Sequence, residues 1–128
     1  MAKQTKLRGP DTFSVPIVGE ASYQGNIVAI VGKGRTGTNV KFVDADLILE
    51  NSNPYDKMAV RIDINGKTVG HLSREYARQY RQRLTEAGIP EETATCRAKI
   101  VGGSPREGER GRYGVWIDLP VVIGSLSK

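Results

Sequence analysis

One cysteine, one histidine and one tryptophan are all that 128 residues supply of those types, and each scarcity removes a class of chemistry. A lone Cys96 forms no internal disulfide, and with only His71 beside it there is no zinc site of the usual kind. Cys96 lies in Thr95-Cys96-Arg97-Ala98-Lys99-Ile100, alternating with basic residues, and reads as a small core residue. No run of ~18 apolar residues occurs and the N-terminus lacks an apolar signal region, so the expectation is a soluble, cytoplasmic protein with no membrane partner. No GxxxxGKS or GxxxxGKT phosphate loop is present. Gly32-Lys33-Gly34-Arg35-Thr36-Gly37 matches GxGxxG, but a dinucleotide site needs a helix directly afterwards. Here Thr38-Asn39-Val40-Lys41-Phe42-Val43 comes next, a turn leading to a strand. The segment reads as a connector, and no cofactor is expected.

Acidic groups are outnumbered. Nineteen Lys and Arg against fourteen Asp and Glu give +5 and a sequence pI of ≈ 9.5, which favours an anionic partner, nucleic acid before a membrane surface. Asp44 and Asp46, two apart on one strand, share a face that would suit Mg²⁺ and nuclease chemistry. A solvated outer face explains them equally well, and no third acidic partner is placed by sequence, so no metal ligand is assigned. His71 with Asp56 has the make-up of a base and its orienting group, yet no Ser or Cys nucleophile has a recognisable setting. No catalytic residue is assigned and no enzyme is expected; a metal-dependent nuclease is a distant third reading.

The length is that of one domain, burying roughly two-thirds of the surface its unfolded chain exposes. Residues 1–12 hold Lys3, Lys6, Arg8, Gly9 and Pro10 without apolar periodicity and read as a flexible basic tail. The folded domain is 13–123, and 124–128 is a C-terminal tail. Ser14 to Val18 is a first strand. Tyr23, Ile27, Ile30 and Val31 recur at helical spacing, although the β-branched run argues for a strand; a helix is preferred. Val40 to Glu50 is a long strand with Val43, Ala45, Leu47 and Leu49 on one face. Thr95–Val101 and Tyr113–Val121 close the sheet, with Gly102 to Arg112 a Gly-rich, charged hairpin tip. Trp116, on the face opposite Val115 and Ile117, either packs under the helix or loops or stacks on a base. The chain is thus mainly β with two helices (α+β), as in a small six-stranded β-barrel.

The most informative stretch is Asn53-Pro54-Tyr55-Asp56 together with the hairpin and helix start that succeed it. Asn, Tyr and Asp carry hydrogen-bonding groups that a core does not want, and Pro54 fixes its own φ while biasing Asn53 toward an extended conformation. These are also ordinary turn formers. In the hairpin, Val60, Ile62 and Ile64 alternate with Ala59, Arg61 and Asp63, and Asn65-Gly66 is the dipeptide a type I′ turn requires. A two-residue turn places Ile64 opposite Lys67, Ile62 opposite Val69 and Val60 opposite His71, with Gly70 opposite Arg61. His71 is therefore expected on the apolar side, at the open end of the hairpin. Ser73 reads as an N-cap, and a helix runs from Arg74 until Gly88 and Pro90 end it. Tyr76, Ala77, Tyr80 and Leu84 form its apolar stripe, while Arg74, Arg78, Arg81 and Arg83 spread over the remainder. Loop, histidine and helix N-terminus converge, and free N–H groups at a helix start suit phosphate.

At these residues the chain resembles the HIRAN domain, in particular its standalone bacterial members. The resemblance lies in Gly19-Glu20-x-x-Tyr23, Asn53-Pro54-Tyr55-Asp56, Ala59-Val60, Val69-Gly70-His71-Leu72-Ser73-Arg74-Glu75 and Gly114-Val115-Trp116-Ile117-Asp118-Leu119, in order from about Phe13 to Val121. It implies an OB-like barrel that binds single-stranded DNA, notably a free 3′ end in fork-remodelling helicase-like enzymes, and hence a link to DNA repair or fork processing. It also favours the helix over the strand for the Tyr23–Val31 segment. An Arg-Tyr pair that helps hold the DNA end in those members is replaced here by Ala21 and Ser22. Tyr23, Asn53, Tyr55, Asp56 and His71 match the motif, and Arg74 supplies a cation where those members carry Lys.

Two functions are consistent with these residues. One is a non-catalytic, monomeric binder of single-stranded DNA or another nucleic acid through Tyr23, Asn53, Tyr55, Asp56, Lys57, His71, Arg74 and Arg78. The other is an interaction module that uses the same groove for a protein, a peptide or a small anionic ligand.

Overall fold

The computed structural model describes residues 5–31, 39–102 and 113–119. Its strands are β1 (Thr5–Lys6), β2 (Val15–Pro16), β3 (Asn39–Leu49), β4 (Val60–Ile64), β5 (Lys67–His71), β6 (Ala94–Gly102) and β7 (Tyr113–Ile117). Its helices are α1 (Gln24–Val31), entered through a 3-10 turn at Glu20–Tyr23, and α2 (Arg74–Glu86). Six strands form one curled antiparallel path, β2-β7-β6-β3-β4-β5, and β1 runs parallel to the start of β6. The chain is mainly β with two helices, and the sheet has OB-like curvature.

The curl comes close to a ring. Ile17 N–H donates to Val115 O at 3.1 Å, on the β7 side. One residue later, Val18 and His71 exchange two backbone hydrogen bonds of 2.8 and 2.9 Å, so the segment that begins at β2 touches both ends of the sheet. A bridge of this kind covers part of the edge that an open sheet leaves. Alternation along each strand fills the interior: Ala45 and Leu47 of β3, Val60, Ile62 and Ile64 of β4, Ala98 and Ile100 of β6, and Val115 and Ile117 of β7 are all buried. Ile27, Ile30 and Val31 of α1 join this core, and Gln24 holds α1 to β7 by a reciprocal pair with the Tyr113 backbone, 2.9 and 3.0 Å. The helical spacing outweighed the β-branched composition here because three of those apolar side chains had one core to enter.

Three expectations change. The first concerns the hairpin. Asn65 and Gly66 adopt φ of 53° and 75°, as a type I′ turn demands, and Ile64 faces Lys67. A β-bulge then shifts the register, so that Gly70 faces Ile62 and His71 faces Arg61 instead of Val60. The cause is close packing at Gly70, where a Cβ would lie 2.7 Å from both Ile17 Cδ1 and Val18 O. The extra residue keeps Val69 in the core and turns His71 out to the polar side.

The second is the N-terminal segment. Residues 5–12, expected to belong to a basic tail, are docked: β1 pairs with Ala94–Thr95, Leu7 is buried, and Leu7 N–H donates to Thr95 O at 2.7 Å. Asp118, itself buried, accepts the Asp11 and Phe13 amides at 3.0 and 3.2 Å. A single apolar residue in a basic run leaves no periodicity to read. The third is the helix stripe, where Arg81 is buried and Tyr76 is not. Residues 1–4, the Gly32–Gly37 connector, the hairpin tip beyond Gly102 as far as Arg112, and the C-terminal tail lie outside the described residues.

Cys96 is a core residue, and burial pushes its thiol up to about 12. The thiolate is the reactive form, so Cys96 is inert while the barrel is closed. Labelling by a thiol reagent at neutral pH should proceed only at the rate of global opening and accelerate sharply in denaturant; rapid stoichiometric labelling of the native protein would contradict the packing.

Candidate nucleic-acid interface

Between β3 and β4 the chain makes a loop, residues 50–59, whose shape is set by its own side chains. Asn53 Oδ1 accepts the Tyr55 and Asp56 amides at 2.8 and 3.2 Å, an Asx turn, and Asn53 Nδ2 donates to Glu50 Oε1 at 3.3 Å. Asp56 Oδ1 accepts the Met58 amide at 2.9 Å, and Ala59 N–H donates to Asp56 O at 3.1 Å. Asp56 Oδ2 lies 3.5 Å from Arg74 Nε at the start of α2. The polar groups expected to meet a ligand are thus largely engaged in building the loop. Tyr55 is the exception. It is 89% exposed at the loop's tip, with a whole aromatic face open to solvent.

Two residues that sequence reasoning left out of the site hold this loop in place. Arg81, 9% exposed, donates from Nε to Met58 O (2.8 Å), from Nη1 to Asn51 Oδ1 (2.7 Å) and from Nη2 to Ala59 O (2.9 Å). A planar guanidinium with fixed N–H directions suits such a spread of acceptors. Its position was legible, since Ala77, Tyr80, Arg81 and Leu84 fall in the i, i+3, i+4, i+7 pattern of one helix face. Glu50 is the other. Its carboxylate meets His71 Nε2 at 2.9 Å, Arg61 Nη1 at 3.5 Å and Asn53 Nδ2. Arg61 also donates to Asp63 at 3.0 and 3.2 Å, and that bond, with the Asp63 and Glu50 charges, raises its pKa against the cost of burial. Nothing in the sequence pairs Glu50 with His71; only the bulge brings them together.

The remaining candidates lie on the loop, on α2 and on the 3-10 turn. Ser73 caps α2 by accepting the Tyr76 amide at 3.2 Å, and Arg74 and Arg78 are exposed on the first turns beyond it. Lys57 is exposed on the loop itself. Tyr23 ends the 3-10 turn, half-buried, in an element that packs on β5. Ala21 and Ser22, in the same turn, are exposed and uncharged. Asp44 and Asp46 lie on β3 away from this loop, with Asp46 Oδ1 accepting from Thr95 Oγ1 at 3.0 Å, and no metal-binding group of three His, Cys, Asp or Glu occurs among the described residues. No described helix is long and apolar enough to cross a membrane.

Replacing Arg81 by Met keeps an apolar stem and removes three charge-assisted hydrogen bonds. It should cost about 2–4 kcal/mol of unfolding free energy in urea titration. A change under about 0.5 kcal/mol, the range of ordinary surface substitutions, would mean that the loop is held by something else.

No family model matches the chain, and neither does any curated protein. Among solved structures it is similar to the crystal structure of the HIRAN domain of human HLTF, at 18% sequence identity and a TM-score of 0.33, over 64% of this chain and 74% of that one. A superposition of that quality carries no argument about fold or function, and the barrel stands on its own strand ladders.

Proposed function

We propose that the chain is a non-catalytic module that binds single-stranded DNA and takes the strand's 3′ end at the Asn53–Asp56 loop. The observation that carries the reading is Tyr55, an exposed aromatic ring on a loop whose backbone is fixed from within. A base stacks on Tyr55, and Tyr23 is the second ring assigned to the strand. Backbone phosphate meets the capped start of α2 with Arg74, Arg78 and Lys57. Asn53, Asp56 and His71 act mainly through the loop they shape, and their remaining polar capacity is turned to the terminal sugar. The net charge of +5 and the motif resemblance, with its link to DNA repair and fork processing, support the same reading.

A second reading has its own observation. Val18, Met58 and Tyr76 are exposed apolar side chains on the elements that border the loop, a surface that a peptide could cover. The two readings separate by charge dependence, since a groove using about three to five phosphates gives a log–log salt slope of roughly −2 to −3.5 for a single strand.

Fluorescence anisotropy with 3′-OH, 3′-phosphate and duplex oligonucleotides tests this. Single strands should bind at about 50 mM salt with that slope. Tyr55→Ala should weaken binding roughly 5- to 150-fold, the worth of one aromatic stack, and leave the thermal transition unchanged. Because Ala21 and Ser22 supply neither charge clamp nor stacking wall, preference for the free 3′ end should be about tenfold or less, ~1.4 kcal/mol, and should rise in the Ala21→Arg, Ser22→Tyr double variant. No binding at low salt would sink the nucleic-acid reading in favour of the peptide one.

A further inference from the structure

The outer face of the sheet carries a second surface, away from the loop. In an antiparallel ladder, directly opposed residues project to the same side. Pro16 faces Trp116, Trp116 faces Lys99, and Lys99 faces Phe42, so one cross-strand row runs from β2 through β7 and β6 to β3. Its strand neighbours Val115, Ile117, Ala98 and Ile100 are buried, which turns this row to solvent. Phe42 is 51% exposed, Trp116 38% and Val40, two residues from Phe42, 50%. Sheet faces that meet water ordinarily alternate polar side chains outward.

The aromatic rings here are interleaved with cations. Phe13 packs edge-on against Phe42 with centroids 5.2 Å apart and planes at 60°. The Arg97 guanidinium lies 5.5 Å from the Phe42 centroid and 5.9 Å from that of Phe13, and the Lys99 ammonium lies 5.8 Å from Phe13. These contacts hold the charges over the ring faces before any partner binds. Trp116 and Phe42 stand two strand spacings apart, roughly 10 Å, with Lys99 between them. A border of mixed charge lies on one side of the strip: Asp44 faces Arg97 across the β3–β6 ladder, and both line a cleft of ≈ 680 Å³ that brings Lys6 and Arg8 together with Asp11 and Asp118.

We propose that the row Trp116–Lys99–Phe42 is a stacking platform for the body of a single-stranded nucleic acid, with bases on Trp116 and Phe42 and phosphates at Lys99 and Arg97. An apolar protein surface laid on this face would bury the Lys99 ammonium between Trp116 and Phe42 with no carboxylate opposite it, which is costly; a chain of flat rings joined by anions satisfies rings and cation at once. The platform is separate from the loop. Phe42 precedes Glu50 by eight residues along β3, roughly 26 Å at the strand rise. This inference rests on the nucleic-acid reading of the loop but names different residues and a different part of the strand.

Trp116 is the chain's single tryptophan, so its emission reports on the platform directly. The test is a titration of the whole protein with thymidine oligomers of about 4 and about 16 nucleotides, the span of OB-fold site sizes, reading tryptophan emission and labelled-oligomer anisotropy together. The longer oligomer should quench Trp116 in the unmodified protein and in Tyr55→Ala. Phe42→Ala and Lys99→Ala, both on the solvent side of the sheet, should each weaken its binding about fivefold or more. Binding seen by anisotropy with unchanged emission and an unaffected Phe42→Ala variant would overturn the platform and leave the loop site standing. Silence in both signals would remove both. Emission that moves with protein concentration alone would make this face a contact between two copies and overturn the proposal as well.

Discussion

Everything at the loop end of the barrel depends on one buried guanidinium. Arg81 reaches from α2 to two backbone carbonyls and one side-chain amide of residues 51–59. Without it those part-buried acceptors would lose charged donors, the source of the cost of about 2–4 kcal/mol expected for Arg81→Met. The contact also fixes α2 relative to the loop. The exposed ring of Tyr55, the Asp56–Arg74 pair and the Ser73 cap then occupy one region because they are tied to the same frame. A binding surface made in this way loses little conformational freedom when a partner arrives.

The second constraint is closure. Val18 exchanges two hydrogen bonds with His71, whose ring goes to Glu50, whose carboxylate also reaches Arg61 and Asn53. Barrel edge, histidine and loop are therefore one connected polar network, and Gly70 is the residue that allows the backbones to approach closely enough. His71 is consequently a joint in the structure as much as a group facing a partner. That is a physical reason for a Val-Gly-His-Leu-Ser order at this place: apolar residue inward, close approach, joint, apolar residue inward, helix cap.

Much of this was legible in sequence because it is local. The Asn65-Gly66 turn, the Ser73 cap, the alternation along β3, β6 and β7 and the helical spacing of Ile27, Ile30 and Val31 each encode their structure within a few residues. The class of fold could be read from them. The preshaped loop was also legible in Asn53-Pro54-Tyr55-Asp56, although the division of labour within it was not: Asn53 and Asp56 spend most of their capacity on the backbone, and Tyr55 alone is free. What the sequence withheld is tertiary. The bulge at Gly70 answers to Ile17 and Val18, some fifty residues away, and it reverses the side on which His71 appears. Asp118 holds the N-terminal segment through the Asp11 and Phe13 amides across more than a hundred residues. Arg81 had a periodicity that identified its face, but a cation on an apolar stripe reads as solvated until its acceptors are known.

The central claim is that the 50–59 loop is built before any partner binds, and backbone ¹⁵N relaxation on the free protein tests it most directly. The Tyr55, Asp56, Met58 and Ala59 amides, each donating within the loop, should have order parameters near the rigid-backbone value of about 0.85. Values below about 0.6 at these positions, with rigid strands on either side, would contradict the account and make the loop a segment that takes its shape only when bound.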